Sequence, residues 1–235
     1  MVLAAGFQSF TGFGFSMLCT PIVTLALDDV QTAVLLLVMP SWFAAGSAAY
    51  SMRKVAPWPS IGRYLLIAPL GILTGVWFLD VLPAWSLELL FAILLLQVLF
   101  PATAVGMGAW AQQTLPSGFL AGLTAGSIGA AGPAVIAWAH SKTEWELPVR
   151  RAATLTLFAS INPMRLPFYI AFGLMTSGDI WVVAIGSIPF VVLGSFLGHK
   201  LAIVVPRERS EIVVKLAIGA LALAMSIQAY NHITA

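Results

Sequence analysis

The chain predicts an all-α integral membrane protein built from two inverted repeats, and three observations carry that prediction. Of its 235 residues, 60% are hydrophobic and only 9% charged, more apolar than the surface of a soluble domain can be. Its apolar stretches reach the roughly 20 residues needed to cross a ~30 Å hydrocarbon core. Two of them, 112 residues apart, share one glycine-broken pattern: Gly6, Phe7, Gly14 and Pro21 fall at the same offset as Gly118, Phe119, Gly126 and Pro133. Transmembrane strands are set aside because runs such as Leu89 to Leu96 are apolar all round, where a barrel strand would alternate.

Eight hydrophobic segments follow in order. The first, 2–27, is broken by Gly6, Gly12 and Gly14 before Cys19-Thr20-Pro21. Segments 31–52, 58–79 and 84–108 come next, the last a smooth run of good helix formers. Segment 113–139 is broken again, by Gly118, Gly122, Gly126, Gly129, Gly132 and Pro133. Segments 149–173, 179–199 and 212–231 complete the set. No charged stretch followed by a small-residue cleavage site opens the chain, so the N-terminus is expected to belong to the fold. The single cysteine, Cys19, excludes an internal disulfide and a cysteine-built metal cage, and reads as a small buried hydrophobe. No cofactor, metal or nucleic-acid partner is expected.

Charge fixes the expected topology. Asp28, Asp29, Asp80, Glu88 and Asp179 lie in or beside three connections without Lys or Arg. Arg53, Lys54 and Arg63 flank a fourth, Lys142, Arg150 and Arg151 a fifth, and Lys200, Arg207, Arg209 and Lys215 a sixth. The positive-inside rule puts the basic three in the cytoplasm and the acidic three outside. Eight straight crossings cannot satisfy this, because one crossing too many separates Arg53 from Lys142. The glycine-broken 113–139 is the segment expected to dip in and return on the same side, and repeat symmetry extends that assignment to 2–27. Non-helical backbone at membrane depth survives only where protein or a watery cavity satisfies it, so such a hairpin implies an internal site.

Each repeat is then a hairpin plus three spanning helices, 1–111 and 112–235, together one transport domain. An odd number of crossings orients the halves oppositely, and paired broken segments of this kind point to the substrate site of a secondary transporter working by alternating access. Trp58 with Trp181, Gly71 with Gly194 and Gly75 with Gly198, all offset by 123, extend the duplication. Their small-xxx-small spacing reads as close helix packing. Trp58, Trp85, Trp110 and Trp181 read as interface anchors.

The site residues follow from chemistry. Arg165, about mid-way along 149–173, is the one charged residue far from a segment end, and an ionisable group at membrane depth is by default functional. A guanidinium without a carboxylate at its depth suits a carboxylate or sulfonate ligand, against the plainer reading of a structural pairing. Asn162, three residues earlier, shares its helical face, while Ser160 is less well aligned. Pro21 and Pro133 are expected at the first turn of returning half-helices, whose free N–H groups and positive dipole ends would face the cavity. Gly14, Gly126, Gly129 and Gly132 would supply backbone, and Ser16, Thr20 and Ser127 hydroxyl donors, unless those hydroxyls bond their own helices. Gln8 and Gln97 are amides that could line the pathway or join helices. His140, His199 and His232 lie near segment ends and form no relay at depth. There is no HExxH, GxSxG or paired intramembrane carboxylate, so an enzyme is not expected.

Gly12-Phe13-Gly14 leading to Pro21, Gly126 and Gly129 leading to Pro133, and Arg165-Leu166-Pro167-Phe168-Tyr169 before Gly173 together resemble the sulfite exporter TauE/SafE family, also called the 4-toluene sulfonate uptake permease family. Many members have a glycine triplet where this chain has Phe15-Ser16-Met17. The resemblance covers nearly the whole chain. It implies a homodimeric carrier in the bacterial inner membrane, with the lipid bilayer as surroundings and a small anion such as a sulfonate, sulfoacetate or sulfite as exported substrate. An anion-selective channel and a permease for a non-sulfur carboxylate are the alternative readings.

Overall fold

Proline and glycine punctuate the chain, and the computed structural model, which describes residues 2–11, 14–99, 113–204 and 207–234, shows what each does. The elements are all helices: α1 Val2–Thr11, α2 Phe15–Leu27, α3 Val30–Leu36, α4 Val38–Met52, α5 Trp58–Leu65, α6 Ala68–Val81 and α7 Ala84–Leu99. After residues outside the description come α8 Thr114–Ile128, α9 Gly132–Ser141, α10 Leu147–Ala171, α11 Gly178–Gly186, α12 Ile188–Val204 and α13 Arg207–Thr234. The end of the expected 84–108 segment lies outside the described residues. So do Gly12 and Trp110, and the side-chain surroundings of Phe7, Gly198, His199, Lys200, Arg207 and Arg209.

Three interruptions have one cause. A proline lacks the N–H for residue i−4 and its ring crowds that carbonyl. Pro40 stands four residues after Leu36, where α3 gives way to α4 with a bend of 41°. Pro69 stands four after Leu65, where α5 meets α6 at 43°. Pro189 likewise follows Ile185 beside the α11–α12 break. Gly178–Leu197 and Lys215–Thr234 are long and apolar enough to cross a membrane, and the two bent pairs bring the candidates among the described residues to four.

Helix α10 is the axis of the packing. It is 25 residues long, and its buried side includes an unbroken stretch from Ala152 to Phe158, then Ile161, Asn162, Arg165 and Tyr169. A helix enclosed by protein can carry polar side chains that a lipid-facing helix cannot. Against it lies α4, while α7 packs along α13, α6 along α8, and α12 along α1. Lipid-type side chains such as Val182, Phe190, Leu193 and Phe196 are exposed on α11 and α12.

Glycine sets the closeness of two of these pairs. A Cβ added at Gly71 or Gly75 of α6 would sit within 3.0 Å of backbone atoms of α8, and one added at Gly122 or Gly126 of α8 would meet the backbone of α6 in the same way. Gly118 is held equally tightly against the Tyr64 carbonyl of α5, and Gly194 of α12 against Val2 of α1. The helices touch backbone to backbone, the arrangement that small residues permit in a bilayer.

The broken segment at 113–139 is folded back on itself. Trp138 Nε1 of α9 donates to Thr114 Oγ1 of α8 at 3.2 Å, and Ser117 Oγ donates to the Ala134 carbonyl at 3.0 Å. These two rungs, running in opposite sense along the two helices, make α8 and α9 an antiparallel hairpin. Its open end is closed by aromatic packing, with the fully buried Trp138 ring 4.7 Å from Tyr64 and 5.5 Å from Trp145. The Tyr64 hydroxyl donates to the Ser117 carbonyl at 3.0 Å, so α5 holds the same end.

Gly75→Leu is expected to separate α6 from α8 and cost at least the ~1–3 kcal/mol of an overpacked core, read as a lowered melting temperature in detergent. Gly62→Ala, in open space on α5, should be neutral or slightly stabilising in the same measurement.

Candidate functional site

Both helix breaks open into one cleft. Gly14 has φ 110°, a left-handed conformation that only glycine adopts without strain, and it turns the chain so that α2 begins at Phe15. Gly129 has φ 75° and ends α8, its N–H bonded to the Ala125 carbonyl and that of Ala130 to Thr124. The chain then restarts at Gly132 as α9, with Pro133 in its first turn. The cleft is lined by Gly14, Phe15, Ser16 and Met17 on one side and Gly129 to Gly132 on the other. Gln8 of α1 and Phe158 and Asn162 of α10 complete it.

Two helix starts therefore face the same space without a side-chain cap on either. The first N–H groups of a helix have no partner within it, and together with the macrodipole they amount to roughly half a positive charge at each start. Gln8 and Asn162, both buried, add amide groups. Among the described residues no acidic side chain lines the cleft. Free N–H groups at helix starts favour negative charge over positive charge beside them.

Arg165 sits one layer behind the cleft, not in its lining. It is 1% exposed, and its planar fork is spread over three helices. Nη1 donates to the Ala125 carbonyl of α8 at 3.1 Å, and Nη2 to Ser41 Oγ of α4 at 3.1 Å. Nη2 also donates to Asn162 Oδ1 at 3.1 Å, and Nε to the Asn162 carbonyl at 3.4 Å. Among the described residues no carboxylate pairs with it. The guanidinium caps the negative end of α8 at the break, where Tyr169 helps by donating its hydroxyl to the Gly126 carbonyl at 3.0 Å. By occupying Oδ1 it also fixes the Asn162 amide, leaving the NH₂ as that side chain's free donor. Gly129 gives the guanidinium room, since a Cβ there would lie 3.3 Å from Nη1, and its φ of 75° favours glycine in any case.

The structure thus brings Gly14, Ser16, Gly129, Gly132 and Asn162 into one cleft. Ser127 instead donates to the Leu123 carbonyl of its own helix at 2.8 Å, and Gly126 is pressed against α6. Ser160 donates to its own helix at the Thr156 carbonyl. Thr20 is buried beside Gly129 and its hydroxyl has no partner among the described residues, but it does not reach the cleft lining. One expectation is corrected: Pro21 does not start the returning half-helix, since α2 begins at Phe15 and Pro21 lies inside it. The positive φ of Gly14, not the proline, sets where that helix starts. Phe15, Met17, Ala130, Ala131 and Phe158 enter the lining although the site expected from the sequence did not include them, and so does Gln8, one of the two amides read as able to line the pathway. The signal for Gln8 in the sequence was an amide within an apolar run.

A family model described as sulfite exporter TauE/SafE matches residues 1–229 of the chain. No curated protein and no solved structure matches it. A match over nearly every residue, on an all-helical chain with apolar membrane-length helices, means that the protein belongs to the sulfite exporter TauE/SafE family of membrane transporters.

Proposed function

We propose that the protein carries a small sulfur-containing anion, a sulfonate, sulfoacetate or sulfite, out across the bacterial inner membrane by alternating access around the cleft between the two helix breaks. The observation that carries this reading is the convergence of two uncapped helix starts with the Asn162 amide. The anion's oxygens would accept from the N–H groups at the starts of α2 and α9, from Asn162 and from Gln8. Phe15, Met17 and Phe158 give the cleft an apolar side for the rest of an organic anion. Arg165 acts as a positioning residue that orients Asn162 and adds positive potential from behind.

Rocking needs two half-structures, and we propose residues 1–111 and 112–235 as those halves, inverted with respect to each other. The packing supports this. Segment 31–52 pairs with 149–173, and 84–108 with 212–231, each with its counterpart by repeat order, through α4 with α10 and α7 with α13. The hairpin of the second half packs on α6 of the first, and α1 of the first half packs on α12 of the second, an exchange that a pseudo-two-fold produces. The antiparallel α8–α9 hairpin supports re-entry, because its two ends lie together. By symmetry we propose the same for 2–27.

Asn162→Leu keeps volume but removes the donor, and should weaken uptake of a small sulfonate into proteoliposomes by about 10- to 100-fold, the ~1.5–3 kcal/mol of a hydrogen bond to a charged group. Saturable uptake with counterflow is expected of the unaltered protein, whereas unitary currents would make it a channel. In a Cys19→Ser background, Gln113→Cys and Lys142→Cys should both react with an impermeant maleimide from one face of sealed vesicles. Labelling from opposite faces would remove the re-entrant hairpin.

A further inference from the structure

The start of α9 is covered by a side chain of α2. Met17 lies in the first turn of α2 and belongs to the cleft lining, yet it is only 3% exposed. A Cβ built on Gly132 would lie 3.0 Å from Met17 Sδ and 3.7 Å from its Cγ, so the thioether is laid across the first residue of α9. The side chain therefore spans the gap between the two helix starts. What it leaves of the cleft is a cavity of about 20 Å³. A water molecule needs ~10–15 Å³ by the same measure, so there is room for one or two waters and not for an oxyanion of sulfur.

Part of the lining must move before an anion reaches the N–H groups at the start of α9, and most of the lining is held. Gly14 and Gly129 are fixed at positive φ in the two breaks. Phe15 is 1% exposed, in a packed cluster with Ala4, Ala5, Leu37 and Ala44. Asn162 is tied to Arg165 through both its side-chain oxygen and its carbonyl. Met17 differs from all of these. Its side chain is unbranched and rotatable, and a thioether adapts to irregular gaps. Pro21, four residues on, has no N–H for the Met17 carbonyl, so the turn carrying this side chain is held by one helical hydrogen bond fewer. Across the cleft it meets a glycine, whose missing Cβ is what lets the thioether in.

We propose that Met17 is the specificity-determining side chain of the cleft. Its thioether must leave the start of α9 for an anion to bind there, and it then shares the apolar side of the cleft with the organic part of that anion. Phe15 and Phe158 form the rest of that side. Thioether and tail compete for one volume, so Met17 sets the length of tail that fits. Sulfite and short-tailed sulfonates are accommodated by the swing of the side chain, whereas long-tailed sulfonates need the space that Met17 keeps. This size limit rests on the reading of the cleft as an anion site, and the covering of the α9 start by Met17 does not.

The test has two arms, both on the full chain in lipid nanodiscs. In the first, Kd is measured for ethanesulfonate and for hexanesulfonate, and only their ratio is compared between proteins, so that a general loss of stability or affinity cancels. The unaltered protein should prefer the shorter anion by about tenfold or more, and Met17→Ala should narrow that preference by about tenfold, the scale on which an apolar pocket discriminates chain length. Met17→Leu, of similar volume, should keep the preference. An unchanged ratio in Met17→Ala would overturn the size limit. The second arm needs no anion. In a Cys19→Ser background, Ala131→Cys puts a thiol beside Gly132 at a lining position that is 5% exposed. Its rate of modification by benzyl methanethiosulfonate is divided by that by the smaller methyl methanethiosulfonate, both uncharged. Adding Met17→Ala should raise this ratio about tenfold. A ratio that Met17→Ala leaves unchanged would overturn the covering of the α9 start. A raised thiol ratio with neither sulfonate bound by either protein would overturn the anion reading of the cleft and leave Met17 as its cover.

Discussion

Two left-handed glycines hold this architecture together. At Gly14 and Gly129 the chain leaves helical geometry, and in each case a new helix begins within three residues of the break. A break in a bilayer interior exposes N–H and carbonyl groups that water does not reach, at a cost of several kcal/mol per unsatisfied group. The fold divides that problem by sign. The carbonyl end of α8 is satisfied by protein, through Arg165 and Tyr169. The N–H ends of α2 and α9 have no side-chain cap and share the cleft.

That division explains why a buried arginine has no carboxylate partner among the described residues. Carbonyls, a hydroxyl and an amide oxygen take its hydrogen bonds, so its geometry is satisfied while its charge is not neutralised. The surplus positive potential adds to that of two helix starts. In the proposed reading, the anion in the cleft is what supplies the missing charge. The glycine seams of α6 with α8 hold the second hairpin backbone to backbone against a helix of the first half of the chain.

Much of this was legible in the sequence because glycine and proline report backbone needs directly. The duplicated pattern located both breaks, and the isolated Arg165 with Asn162 on its helical face located the third wall. The same letters also misled where one residue type serves two physical purposes. Gly126 matches Gly14 by offset, yet it serves contact with α6 while Gly14 serves a positive φ. Pro21 matches Pro133 by offset, yet it lies inside α2 and Pro133 in a first turn. The contact of Met17 with Gly132 was not legible at all, since the two lie in different halves of the chain and a methionine in an apolar run resembles any core residue.

The claim on which the account rests is that an anion is held between the starts of α2 and α9. Anomalous diffraction from crystals grown with 2-bromoethanesulfonate tests it most directly. The account predicts a bromine peak beside Phe15, Met17 and Phe158, with the sulfonate oxygens within hydrogen-bond reach of Asn162 and of backbone N–H groups at Phe15 to Met17 and at Gly132. A peak elsewhere in the protein with this cleft empty would contradict it.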